Sequence, residues 1–418
     1  MYTIQQLASG LRILTAPSDG TESVTVMAFA GAGSRYEKEA DRGISHFLEH
    51  MFFKGGKKYQ NTKEVSEAID GVGGEFNAFT GKEYAGYYIK VAEKQTELAC
   101  DVLSDMLIHA SFPQEEIEKE RGVIMEEERM YQDTPMYRVG WDFELLLYGD
   151  QPLGWDTIGT EEVIKSVKQN DFQTYKDNLY TSDNIVLVFA GSIDEKRSYA
   201  LSEKFFGELK GKKARDFPKF TQYGGDHIFV RNKKTEQSHM VLGVPGVSAL
   251  SDDHFVQKLL AIILGGSMSS RMFLNIREAR GLCYYISTDI DSYLDAGALS
   301  TRAGVDQSRL EEAITAIKEE YMKCASNGVT DEEIHRAKEY MKGKMTLSLE
   351  DSEERAHFFG RQELLYTKTR TIDEYFSEIE KVTKGQVNEL AARLLKSDEL
   401  RLGVIGNVPD QTKLEALL

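Results

Sequence analysis

Cysteine is scarce in this 418-residue chain, and Cys100, Cys283 and Cys324 stand far apart. Three scattered thiols make neither a disulfide framework nor a zinc ribbon. Proline is also rare, with seven in all. With 28% charged and 10% aromatic residues beside it, the composition excludes disordered and fibrous chains. No apolar run approaches the roughly 18 residues that span a bilayer, which argues against an integral membrane protein. The opening MYTIQQLASGLRIL has no basic stretch followed by a continuous apolar one, so no secretory signal is read and the expected location is the cytoplasm. Positive charge is in deficit, 51 Lys and Arg against 68 Asp and Glu, a net charge of −17. That balance disfavours nucleic acid, whose phosphates need clustered cations, and leaves basic peptides or proteins as partners. Phosphate and dinucleotide loops are missing too: GGKK at Gly55 lacks the first Gly and the following Ser or Thr, and GAGSRY from Gly31 lacks the third Gly.

What the chain does have is a repeat of domain size. TSDNIVLVFAG (Thr181–Gly191) returns 215 residues later as KSDELRLGVIG (Lys396–Gly406). FPQEEIEKERGVIMEEE from Phe112 parallels VTDEEIHRAKEYMKGKM from Val329, 217 residues on, and SVTVMAFAGAG from Ser23 resembles SHMVLGVPGVS from Ser238. Fragments that keep their order at nearly one offset imply two homologous halves. The expected domains are residues 1–213 and 226–418, joined by a polar linker at 214–225.

Each half mixes strands and helices in one order. TIQQL and LRILTA flank Ala8-Ser9-Gly10 as a hairpin, and SVTVMAFAG, GEFNAFT, YAGYYIKV and NIVLVFAG read as strands. Helical periods run through HFLEHMFF, QTELACDVLSDMLIHA and EEIEKERGVIMEEERMYQ. Adjacent hairpins with helices grouped between strands predict an α+β fold. It consists of two homologous sandwich domains, each a mostly antiparallel sheet with helices packed on it.

The most informative residues are His46-Phe47-Leu48-Glu49-His50. Four residues apart on a helix, His46 and His50 project from one face and can reach one ion, with Glu49 beside them to act on a water. This HxxEH pattern is a metal-hydrolase signature. The competing reading is two surface histidines beside a glutamate. The apolar flanks Phe47, Leu48, Met51, Phe52 and Phe53 make the helix a buried one, whose polar groups need partners or a metal. A catalytic zinc takes three protein ligands and an open position, so a third ligand is required. In the Glu-rich helix, Glu120 and Glu127 lie seven residues apart and share a face, while Glu126 and Glu128 turn about 100° to either side of Glu127. Helical phasing alone does not choose between a third ligand at Glu127 and an ordinary solvated acidic face. GEFNAFT, with Phe76, Asn77, Ala78 and Phe79, reads either as a plain edge strand or as the dock for an extended peptide.

With these residues the chain resembles the inverzincin metallopeptidases: pitrilysin, insulin-degrading enzyme and the mitochondrial processing peptidase. That pattern puts the third ligand 77 positions after the second His, which is Glu127, and a further glutamate seven before it, Glu120. Asn77-Ala78-Phe79-Thr80 with Glu83, GGSMSSRMF from Gly265, and the pair Arg277 and Tyr284 also match. The resemblance covers essentially the whole chain and is closest to the short branch, in which one polypeptide is half of a clamshell chamber. It implies one Zn2+ per chain on His46, His50 and Glu127, Glu49 as general base and then acid, and Glu120 assisting catalysis or fixing a ligand imidazole. It further implies Arg277 and Tyr284 acting on the substrate across the interface of a homodimer, or of a heterodimer with a paralogue. Manganese or cobalt could replace the zinc. The implied activity is endopeptidase action on peptides or unfolded polypeptide segments. A non-catalytic subunit of such a heterodimer is the alternative. By the repeat, Glu120 pairs with Ala337 and Glu127 with Lys344, so one metal site per chain is expected.

Overall fold

A computed structural model describes residues 2–408 and 410–418. Among them are strands β1 (Thr3–Gln6), β2 (Arg12–Pro17), β3 (Ser23–Ala30), β4 (Glu75–Thr80), β5 (Ala85–Ala92) and β6 (Ile185–Gly191) in the first half. The second half holds β7 (Ile228–Asn232), β8 (Gln237–Pro245), β9 (Cys283–Ser292), β10 (Gly297–Asp306) and β11 (Arg401–Gly406). One sheet runs β1-β2-β6-β3-β5-β4 and the other β7-β11-β8-β10-β9. With β1 set aside the two orders are the same, β2 answering β7 and β4 answering β9. In each sheet one pair is parallel, β2 with β6 and β7 with β11. The fold is α+β, with two mostly antiparallel sheets and helices against them.

Residue patterns account for the layering. β3 (SVTVMAFA) and β6 (IVLVFAG) are apolar almost without interruption because helices cover both faces, leaving nearly every residue buried. On one face lie the helices Thr96–His109 and Glu195–Phe206; on the other lies Ser352–Leu365, against β6, β3 and β2. Gly360 permits that approach, since a Cβ there would stand 2.4 Å from the Phe29 ring. β5 alternates instead: Tyr87, Ile89 and Val91 are buried, while Tyr88 and Lys90 on the other face are half-buried. β4 ends the sheet, paired only with β5, so its outer edge is free of any strand among the described residues.

Compactness divides the chain into residues 1–129, 156–218 and 345–371 as one unit, and 130–155, 219–344 and 372–418 as the other. This differs from the contiguous domains expected at 1–213 and 226–418. The sheets follow the sequence halves, but each half sends one helix to the other sheet. Pro135–Tyr148 packs on β8 and β11, burying Val139, Phe143 and Leu147 with Val241 and Ile405. Ser352–Leu365 packs on the first sheet. These helices begin 217 residues apart, at Pro135 and Ser352, so the exchange is itself part of the repeat. An apolar stripe says that a helix must be covered, not by which sheet. The expected linker is likewise divided between the units. Arg215 is paired with Asp41 at 2.8 Å, whereas the Phe220 amide donates to Asp295 at 2.8 Å.

Candidate metal centre

The HxxEH motif occupies a helix, Ile44–Met51, that buries Ile44, Phe47, Leu48 and Met51 and leaves His46, Glu49 and His50 half-buried. Phe47 stacks edge-on against Phe172 at 4.9 Å and Phe52 against Tyr87 at 4.9 Å, which fixes the helix's rotation about its axis. Its start is fixed as well. Glu37 accepts from the Gly43 amide (2.8 Å), the Ser45 amide (2.9 Å) and the Ser45 hydroxyl (2.6 Å), satisfying donors that the helix itself leaves over. Burial pushes the Glu37 acid up to about 8 despite those three donors.

The Glu-rich helix, Gln114–Asp133, buries Ile117, Glu120 and Ile124 along one stripe that continues to the half-buried Glu127. This phasing carries Glu127 to the two imidazoles. Its Oε2 lies 3.7 Å from His46 Nε2 and 3.6 Å from His50 Nε2. One ligand atom from each of the three residues falls within 4.8 Å of the others, the spread of a set able to hold a single ion. Two donors bound tetrahedrally to one zinc at about 2.0–2.1 Å stand roughly 3.3 Å apart, close to the separations seen.

A further observation fits a cation. Three carboxylates, Glu49, Glu120 and Glu127, converge on the two rings, and Lys54, 2.6 Å from Glu120 Oε2, offsets only one of them. The excess is the charge that a divalent ion neutralises. Two imidazoles and a carboxylate suit zinc.

Electrostatics separates the two histidines. His46 is held down to about 3, first by burial and then by His50. Burial acts the same way on His50 but is outweighed by Glu120, Glu49 and Glu127, so its pKa is raised. Glu120 Oε1 stands 2.9 Å from His50 Nδ1. That contact directs the Nδ1 proton to the carboxylate and leaves Nε2 free on the Glu127 side. For Glu120 itself, burial is overcome by His50 and Lys54, and the acid is lowered. Glu49 is raised, chiefly by burial, although Thr80 donates to its Oε2 at 2.5 Å and His50 lies near.

The structure thus brings together His46, Glu49, His50, Glu120 and Glu127. Thr80, named from sequence only as part of the matching strand, joins them, as does Lys54, which was not singled out. The signal for Lys54 was a lone cation four residues after His50 in the apolar run HMFFKG. Of the strand residues, Phe76 lies on the metal side of β4, against Phe53 at 5.6 Å, and Phe79 lies on the other face with Asn77. Arg277 and Tyr284 belong to the other compact unit. Arg277 sits in a π-helical turn, Phe273–Glu278, an element common at functional sites. Its Nε donates to the Tyr284 carbonyl at 2.9 Å, and its guanidinium lies 4.5 Å over the Phe273 ring. Tyr284 is 78% exposed, near the start of β9, the strand equivalent to β4. At the positions repeating Glu120 and Glu127, Ala337 and Lys344 offer no ligand.

Two like sheets, with one histidine–glutamate group able to hold a metal among the described residues, define a chain of two related units with a candidate metal site in the first. Residues 12–160 match the family described as Insulinase (Peptidase family M16), and residues 166–341 match the Peptidase M16 inactive domain. The chain is 37% identical over 414 residues to the uncharacterized zinc protease YmxG of Bacillus subtilis, covering 98% of this chain and 99% of that one. A second uncharacterized zinc protease, from Mycobacterium leprae, is 35% identical over 393 residues, 93% of this chain and 88% of that one. This chain belongs to peptidase family M16. In fold it matches the crystal structure of a protease from Helicobacter pylori, with a TM-score of 0.90 at 21% identity over 97% of this chain and 99% of that one. It also matches a peptidase M16 inactive domain from Pseudomonas fluorescens, with a TM-score of 0.91 at 16% identity over 98% of each. No helix among the described residues is long and apolar enough to cross a membrane.

Proposed function

We propose that this chain is a zinc-dependent endopeptidase that hydrolyses peptides or unfolded polypeptide segments, working as a homodimer whose two chains enclose the substrate. The observation that carries the reading is the convergence of Glu127 on His46 and His50 with Glu49 beside them. A non-catalytic subunit has no use for a base held at that spot.

His46, His50 and Glu127 would hold the ion, which when bound supplies Lewis-acid chemistry, polarising the scissile carbonyl and acidifying water. Glu49 takes a proton from the attacking water and passes it to the leaving amine, so that one water is consumed and an acid and an amine appear. Thr80 holds Glu49 through Oε2, leaving the other oxygen for the proton. Glu120, itself held by Lys54, fixes the His50 ring. A peptide paired along the free edge of β4 gains main-chain hydrogen bonds with little demand on its sequence, and the strand's last residue, Thr80, sits at the base. Arg277 and Tyr284 supply donors to the developing oxyanion or grip the substrate backbone, and in a homodimer they do so in the site of the other copy.

Zinc content and cleavage of a fluorogenic peptide, measured with and without chelator, test the reading. Stoichiometric zinc with chelator-sensitive cleavage that is lost in Glu49→Gln supports it. Zinc without cleavage removes the enzyme and leaves a binding subunit.

A further inference from the structure

The face of β4 and β5 turned away from the metal is not closed. The helix Ser352–Leu365, which the second half of the chain sends to this sheet, lays three residues spaced by four along the outer strands. Tyr88 bonds through its hydroxyl to Glu353, His357 lies tilted against Phe79 at 4.7 Å with Phe29 edge-on to it at 5.5 Å, and Arg361 lies 5.6 Å over Tyr84. All but Phe29 are half-buried. Phe79 leans inward because Gly86 opposite has no Cβ; one there would meet the ring at 2.1 Å. Next to Phe79 on this face and nearer the start of β4, Asn77 is exposed. The result is a ledge of rings along the strand. The acid and the guanidinium at its two ends already have aromatic partners, and burial holds the His357 pKa below its usual value, so the imidazole is uncharged near neutral pH. What remains on offer is ring surface.

Side chains of a strand alternate between faces. A peptide paired on β4 therefore points every second side chain at the metal side and the others at this ledge. We infer that the ledge is a subsite for a planar aromatic side chain of the substrate, with His357 its specificity-determining residue. The inference rests on the proposed peptidase function and on β4 as the docking edge. Offset or edge-to-face ring pairs add enough to favour an aromatic residue there by about five-fold over alanine.

The test uses the zinc-loaded full chain and a mixture of random decapeptides, with cut sites read by mass spectrometry. Wild type should enrich Phe, Tyr and Trp at one or more fixed positions from the cut, spaced by two residues where there is more than one. His357→Ala should bring that enrichment close to one, and His357→Phe should restore it, with zinc stoichiometry the same in all three. A wild-type profile without aromatic enrichment, or one that survives His357→Ala, overturns the subsite and leaves the peptidase reading standing. Absence of any cut by wild type overturns both.

Discussion

The Thr80 hydroxyl donates to Glu49 Oε2 at 2.5 Å, joining the last residue of the edge strand β4 to the carboxylate beside the two imidazoles. The edge strand and this carboxylate are therefore one mechanical unit. Replacing Thr80 by Val keeps the shape and removes the donor. The freed carboxylate oxygen is then untethered, and a misplaced base costs on the order of ten- to a hundred-fold in rate. Thr80→Val should lower kcat by about that much while zinc stoichiometry, measured by elemental analysis, stays at the wild-type value. Unchanged kcat would show that Thr80 is only a strand terminus.

Zinc should be a folding ligand as well as a reagent. The site sets three carboxylates around two imidazoles with one lysine to offset them, so the metal-free fold bears a repulsion that the ion removes. At free zinc a hundred times Kd, the linkage gain is about 2.7 kcal/mol. Adding zinc to chelator-treated protein should raise Tm in calorimetry. Glu49→Gln should keep that rise, since Glu49 is no ligand. His50→Ala should lose it.

Glu37 gives the fold a pH dependence of known sign. Burial holds its acid up to about 8 in the folded chain, against an ordinary value of 4.5. Between those pH values the folded state binds more protons than the unfolded one, so this group's contribution to stability falls as pH rises. In urea titrations of the metal-free protein at pH 5 and pH 8, Glu37→Gln should show a smaller loss of stability on going to the higher pH than wild type. An identical loss in both proteins would mean that Glu37 does not titrate in this window.

Much of this was legible in the sequence because it is local or periodic. The repeat foretold two sheets of one strand order, and i, i+4 spacing put His46 and His50 on one helical face. Glu127 was less legible: phasing left it open between a third ligand and a solvated acidic face, and only the resemblance named it as ligand, with Glu120 assisting catalysis or fixing a ligand imidazole. The exchange of Pro135–Tyr148 and Ser352–Leu365 between sheets left no mark in their patterns, because an amphipathic stripe is indifferent to which sheet it meets. For the same reason, nothing near His357 announces Phe79. Lys54 escaped notice, and Thr80 was named only as part of the matching strand, because each acts through a carboxylate distant in sequence.

The last prediction concerns Arg277 and Tyr284. Arg277 Nε is spent on the Tyr284 carbonyl, which holds both residues at the head of β9, while the phenol is left 78% exposed. A tyrosine so presented, beside a guanidinium held by a π-helical turn, is poorly explained by packing within its own unit. If the pair serves the site of a second copy, a chain with Glu49→Gln and a chain with Arg277→Ala are each inactive as homodimers. The mixed dimer then contains one site with both an intact Glu49 and an intact Arg277. Statistical mixing places half of the chains in mixed dimers, so about a quarter of wild-type activity should return after subunit exchange. Activity no greater than the sum of the separate variants would place Arg277 in the site of its own chain or outside catalysis altogether.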